Sequence, residues 1–337
     1  MLHRLALGSR IVSEFSLDLE TGRTDVDIET IERGRHVFIT GLARSGTTIL
    51  LRRLFATGAF GCLTYRDMPF VLMPLSWKWL SANSQKQVEK RERAHGDGLL
   101  VDYDSPEAFE EVFWKTVCGP DYIRKDRLLP HQPDNAATAK FKHYIGIVLK
   151  SRQNPVDRYL SKNNNNILRL APLCAALPDS LFLVPFRSPL QHASSLLNQH
   201  LRFLDPADAF SKRYMEWLGH YEFGAGHRPF SVSNRENPYD PLSLAYWLMI
   251  WKAVYQWLAA TAPEHVVFVG YERLCSDHGH TWHHLLELAE IKENKTVFEP
   301  LFLKTREISE QIPGDLLNSC DRTYQLLLDR HDKHFTK

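Results

Sequence analysis

The stretch Ile39-Thr40-Gly41-Leu42-Ala43-Arg44-Ser45-Gly46-Thr47-Thr48 constrains this chain more than any other. An apolar run, His36 to Thr40, leads into it, and a segment with apolar residues at Ile49, Leu50, Leu54 and Phe55 leads out. The pattern predicts a strand, a glycine turn and a helix. A loop of this kind aims successive backbone N–H groups at one point, and the helix N-terminus adds partial positive charge there, so the place suits a phosphate-like anion. Gly41 and Gly46 are spaced as in a phosphate-binding loop, with Ser45, Gly46, Thr47 and Thr48 supplying N–H and hydroxyl donors. Thr47, however, stands where the metal-dependent nucleotide enzymes carry Lys, and the cation is Arg44, inside the loop. No clear apolar run ends in an Asp placed to hold Mg²⁺. A metal-free nucleotide with its reactive group beside Arg44 fits this loop better than a metal–triphosphate complex.

Further apolar runs at 181–186 and 265–269, and a weaker one at 158–161, read as buried strands. Helices are expected over 105–117, 137–150, 167–177, 189–203, 206–219 and 242–262. Continuous apolar strands separated by helices predict an α/β fold: a parallel sheet flanked by helices, a P-loop NTPase-like three-layer sandwich. Residues 60–135 hold few strand signals and read as a helical insertion over the sheet. Residues 220–241, rich in Gly, Pro and Asn, read as a lid or loop, all within a single domain spanning 1–337. The apolar segment 242–262 is long enough to span a bilayer but carries Lys252 and Gln256 near its middle, so it is read as a core helix. With no apolar leader near Met1, a cytoplasmic protein without a transmembrane segment is expected. The 41 basic residues balance 40 acidic ones, which gives no reason to expect a nucleic-acid surface. Five dispersed cysteines without a Cys-x-x-Cys pair fit reduced thiols.

A second anion-binding pattern follows the run 181–186. Arg187 sits at the carboxyl end of that strand, where α/β sheets bind ligands, and Ser195 lies on the following predicted helix. Arg187 offers a planar fork to a phosphate. Together, Arg-Ser-Gly-Thr-Thr after a strand and Arg-x-Pro with a Ser eight residues after the Arg resemble the sulfotransferases that use 3′-phosphoadenylyl sulfate. The similarity extends to Pro178-Asp179-Ser180-Leu181-Phe182 and to Tyr271-Glu272-Arg273-Leu274. The resemblance implies that Arg44, Gly46, Thr47 and Thr48 bind the 5′-phosphosulfate and that Arg187 and Ser195 bind the 3′-phosphate. It also implies a donor contact from Lys162, no requirement for metal, and an acceptor hydroxyl. Arg in place of Lys in the loop resembles the carbohydrate and tyrosylprotein enzymes, so a carbohydrate or another alcohol is the favoured acceptor.

Two departures accompany the resemblance. Asn164 stands where cytosolic members carry a catalytic His, and the C-terminal Gly-x-x-Gly-x-x-Lys is absent. The proton acceptor is therefore sought elsewhere, first at Asp67, then at His95 with its neighbour Asp97. Competing readings are a Mg-ATP-dependent P-loop phosphotransferase and a catalytically inactive nucleotide-binding protein. The histidines His278, His280, His283 and His284 read as a solvated helix. Asp102 and Asp104 read as helix entry, His192 and His200 as packed or surface histidines, and Trp247, Trp251, Tyr255 and Trp257 as core.

Overall fold

The computed structural model describes residues 2–81, 91–92, 100–101, 103–205, 209–233, 236–277, 279–292, 301, 305–308 and 310–335. Its centre is a parallel sheet of strands β1 (Val37–Ile39), β4 (Leu160–Lys162), β5 (Leu181–Phe186) and β6 (Val267–Gly270), in the order β4-β1-β5-β6. Each of the four predicted runs forms a strand, displaced by no more than two residues. A separate antiparallel pair joins β2 (Arg91–Glu92) to β3 (Leu100–Val101). The register sets Ile39 level with Lys162 on one side and Leu183 on the other. The loop after β1 thus begins where β4 ends.

Alternation along β1 separates the two faces, because successive side chains of a strand point opposite ways. Val37 and Ile39 pack with Leu50, Leu51, Leu54, Trp282 and Leu285 on one face. These come from α4 (Thr47–Ala56) and α13 (His280–Leu288). Phe38 faces the other core, with Phe141 and Tyr144 of α7 (Asn135–Ser151) and Trp251 and Tyr255 of α11 (Leu244–Thr261). The helix predicted over 242–262 is thus α11, and its aromatics Trp247, Trp251 and Tyr255 are buried, as expected of core. Among the described residues no helix is long and apolar enough to cross a membrane. Helices α1 (Leu2–Gly8), α2 (Arg10–Arg23) and α3 (Ile28–Glu32) precede β1, and α14 (Gly314–Phe335) packs against β6 and α11.

The segment 60–135 contains α5 (Pro74–Ser81) and α6 (Glu111–Tyr122) among its described residues. The helix expected from Ser105 starts six residues late, at Glu111. Residues 103–107 instead pair with 63–66: Tyr65 N donates to Ser105 O, Arg66 N to Tyr103 O and Glu107 N to Leu63 O. That ladder takes the backbone groups a first helical turn would use. The stretch predicted helical over 167–177 opens as a 3₁₀ turn, Asn164–Arg169, before α8 (Leu170–Ala176).

Beneath the end of β4 lies a buried polar network. Arg169 donates to Glu111 through both terminal nitrogens, at 2.9 and 3.1 Å, and its side chain and that of Glu111 are 0% exposed. The Arg169 guanidinium also lies 4.9 Å from the ring centroid of Trp114 and 4.8 Å from that of Tyr122. Asn163 and Asn166 donate to Glu111 and Glu110, and Ser161 donates to Glu110. The Asn163–Asn166 run is therefore a turn held inside the protein. It fixes the chain immediately after Lys162.

Candidate active site

Gly46 caps α4 with φ +104°, a left-handed conformation that favours glycine, and Arg44 is also left-handed at φ +70°. A Cβ at Gly46 would stand 2.7 Å from Tyr271 Cδ2, so the loop lies directly under the Tyr271 ring. The loop is held from behind by α9 (Pro189–Phe203), whose His192 Nε2 donates to Ala43 O at 2.8 Å. Burial lowers the His192 pKa to about 3, so this prop is a neutral imidazole.

The two anion-binding patterns meet here. Arg187 Nη1 donates to Arg44 O at 3.3 Å, and Arg44 Nε donates to Ser195 Oγ at 3.3 Å. The Arg187 guanidinium stands 4.7 Å from the Tyr271 ring centroid, while its Nε is buried without a partner. Glu272 fixes the turn into α9 by accepting from Ser188 N at 2.9 Å. A single cavity is lined by Arg44, Gly46, Thr47, Thr48, Lys162, Arg187 and Tyr271. Ser45 is fully buried and is not among its lining residues. Ser195 adjoins the cavity through Arg44.

The same cavity gathers groups that local sequence patterns do not mark: Glu107, His220 and Glu222, with Asn164. Glu107 accepts from Tyr65 Oη at 2.9 Å on one oxygen and from Ala108 N at 2.9 Å on the other. His220 stands 3.4 Å from Glu222 through Nδ1, and its Nε2 donates to Ala108 O at 3.0 Å. With both ring nitrogens facing oxygen, the imidazolium form is favoured. Burial pushes the His220 pKa down, but the charge and hydrogen bond of Glu222 outweigh it and raise the pKa. Burial likewise pushes Glu222 up, and His220, Lys162 and Asn164 overcome it, holding Glu222 at about 2. Asn164 Nδ2 donates to Glu222 Oε1 at 2.9 Å, so this position anchors the 220–222 segment.

The raised His220 pKa stabilises the fold below the unfolded histidine value, and that contribution fades as pH rises through the folded value. The lowered Glu222 pKa contributes above the ordinary carboxylate value and is lost only as pH falls toward about 2. The difference in unfolding free energy between the native chain and His220→Gln should therefore shrink as pH rises from about 6 to about 9. Urea titrations at several pH values measure this, and a constant difference would dismiss the ion pair.

Asp67 is not brought to this cavity. Arg152 donates to both its oxygens, at 2.6 and 3.0 Å, and Thr64 N donates to it at 2.8 Å. It lines a different cleft, with Arg66, Lys78 and Arg152. His95, Asp97, Asp102 and His278 lie outside the described residues. Asp104 pairs with Arg66, and His284 pairs with Glu287 at 3.0 Å. Cys118, Asp121 and His131 bring ligand-type atoms within 4.8 Å of one another. Arg169 Nε, however, donates to His131 Nε2 at 2.8 Å, which leaves the ring proton on Nδ1 and closes the imidazole as a metal ligand.

A family model described as the sulfotransferase family matches residues 36–294. A search of curated proteins gave no match. Among solved structures, sulfotransferase STF9 from Mycobacterium avium aligns at 12% identity over 98% of this chain and 83% of that chain, with a TM-score of 0.50. Sulfotransferase STF1 from Mycobacterium tuberculosis H37Rv aligns at 13% identity over 98% of this chain and 83% of that one, with a TM-score of 0.46. A sulfotransferase from Alicyclobacillus acidocaldarius aligns at 14% identity over 90% and 96%, with a TM-score of 0.44. At 12% identity the likeness to the Mycobacterium avium structure is one of fold.

Proposed function

The chain belongs to the sulfotransferase family, and from that premise we propose that it moves the sulfuryl group of 3′-phosphoadenylyl sulfate to an acceptor hydroxyl without a metal ion. One observation carries the reading: Arg44, Gly46, Thr47 and Thr48 of the loop line one cavity with Arg187 and Lys162, and the Nε of Arg187 is a buried donor with no partner. A buried unsatisfied N–H of a cation is costly, and an anionic ligand removes that cost. In this reading Arg187, with Ser195 supporting Arg44, takes the 3′-phosphate. The N–H groups from Gly46 onward and the Thr47 and Thr48 hydroxyls hold the 5′-phosphosulfate. The donor supplies the sulfuryl group: the acceptor oxygen bonds to sulfur as the sulfur–oxygen bond to the 5′-phosphate breaks, and the electron pair stays with the phosphate.

Lys162 and Arg44, which both line the cavity, stabilise the charge that grows on the departing oxygen. Glu107 takes the acceptor proton. Glu222, held at about 2 and engaged by His220 and Asn164, is the weaker base of the two carboxylates in the cavity. His220 is a poor candidate, because both its nitrogens already face oxygen.

Calorimetric titration with 3′-phosphoadenosine 5′-phosphate in the presence of a chelator tests the donor site. Binding is expected, and Arg187→Ala should weaken it by about 2–3 kcal/mol, roughly 30- to 150-fold. Unchanged affinity in that variant would remove Arg187 from the donor site. Preference for Mg-ATP would favour the phosphotransferase reading instead.

A further inference from the structure

Two side chains that line the cavity each hold a buried oxygen with no hydrogen-bond donor: Oδ1 of Asn164 and Oε2 of Glu222. Asn164 is 3% exposed and the Glu222 side chain 11%. Chemistry fixes the orientation of the Asn164 amide. An ionised carboxylate only accepts, so the amide nitrogen faces Glu222, and Nδ2 donates to Oε1 at 2.9 Å. Oδ1 is thereby the end of the amide left to take a donor from elsewhere.

The pair is preformed. Asn164 opens the 3₁₀ turn two residues past Lys162, which ends β4. Asn165 Nδ2 donates to Gly219 O at 3.1 Å, and His220 N donates to Met215 O at 2.9 Å. The turn that carries Glu222 is thus tied to the end of β4. Because Oδ1 and Oε2 belong to groups already joined by one hydrogen bond, they lie no more than about 8 Å apart. Two hydroxyls on one six-membered ring can bridge such a span.

The missing partner is a donor and not a charge. Glu222, held at about 2, stays ionised, and His220 at 3.4 Å already supplies it with a cation. Asn164 Oδ1 is neutral. Hydroxyl groups suit both oxygens, whereas an ammonium would stand against the His220 imidazolium. A buried acceptor left unfilled is costly, so a site of this kind discriminates steeply against a ligand that brings no donor.

Resting on the sulfotransferase reading, we propose that Glu222 and Asn164 determine specificity by accepting hydrogen bonds from acceptor hydroxyls other than the one sulfated, so that the acceptor is an uncharged polyol. The sulfated hydroxyl gives its proton to Glu107, and its neighbours keep theirs and donate to Oε2 and Oδ1. Asn164 thus serves recognition at the position where cytosolic members of the family carry a catalytic His.

The test uses the full chain, 3′-phosphoadenylyl sulfate, and acceptors matched in ring but not in hydroxyl count: trans-1,2-cyclohexanediol with cyclohexanol, and methyl α-D-glucopyranoside with tetrahydropyran-2-methanol. The polyols should show kcat/KM at least about 10²-fold above their monohydric partners. Glu222→Gln keeps an oxygen for Asn164 but sets an N–H where Oε2 stood. It should cut that ratio at least about tenfold while the affinity for 3′-phosphoadenosine 5′-phosphate stays within about threefold of native. The amino alcohol trans-2-aminocyclohexanol should be a poorer acceptor than the diol. Equal use of polyols and monohydric alcohols, preference for the amino alcohol, or a ratio unmoved in Glu222→Gln overturns the proposal. The first comparison uses the native protein, so it decides the matter even if the variant fails to fold. Sulfation of neither polyol by protein that binds 3′-phosphoadenosine 5′-phosphate also overturns the proposal and leaves the donor site standing. Loss of that nucleotide's binding in the native protein would instead sink the sulfotransferase reading itself.

Discussion

Glu107→Gln should lower the single-turnover rate of sulfuryl transfer by about 10²- to 10⁴-fold, with the affinity for 3′-phosphoadenosine 5′-phosphate unchanged. The substitution keeps the shape and both hydrogen-bonding positions of the side chain but removes its basicity. Glutamine's carbonyl can still accept from Ala108 N, and its amide can donate to Tyr65 Oη, which in the native protein donates to Glu107 at 2.9 Å. The loop geometry that sets residues 103–107 beside 63–66 is made by backbone groups, so it survives the change. The expected loss is therefore a loss of proton transfer. Tyr65→Phe serves as the companion variant. It removes the Tyr65 hydrogen bond to the carboxylate, and it should shift the pH dependence of turnover without abolishing it. A Glu107→Gln enzyme that turns over within threefold of the native rate would show that another group takes the proton.

The second large effect concerns stability. Glu111→Ala strips Arg169 of its bidentate partner, at a place where both side chains are 0% exposed. Burial pushes the Glu111 carboxyl up, and the Arg169 charge outweighs it and lowers the pKa. Removing one member of a buried pair leaves an uncompensated charge and costs about 3–5 kcal/mol. Urea unfolding of Glu111→Ala should show a loss of that size. Replacement of both members, as in Glu111→Leu with Arg169→Met, should recover a large part of it, because well-packed apolar residues can stand in for a buried pair. A single variant within 1 kcal/mol of the native protein would mean that the pair is not sealed from water. Because this network anchors Asn163, the single variant should also loosen Lys162 and lower turnover.

The sequence speaks most clearly where the backbone alone decides the structure. The strand, the loop with Gly46 and the helix from Thr47 follow from local preference, and so does Arg187 at the end of β5. Lys162 is legible only through the resemblance, since its strand is three residues long. Glu107 reads as an acid in a helical first turn, yet the pairing of 103–107 with 63–66 holds it in extended chain. Asp67 reads as the first candidate proton acceptor, but Arg152, 85 residues away, closes on it. His220 and Glu222 lie in a segment that reads only as a loop. Burial gives them meaning, and burial comes from neighbours that are distant in the chain. The spacing of Leu316, Cys320, Thr323 and Leu327, all buried in α14, is a helical signature in the sequence itself.

The contact between Gly46 and the Tyr271 ring has a historical consequence. The two positions lie 225 residues apart, yet a single methyl group at the first collides with the second. A lineage could abandon the glycine only after moving or shrinking the ring, and the loop's left-handed turn would still object. Among descendants of a common ancestor, these two sites should therefore be inherited as a pair, with substitutions at one trailing those at the other.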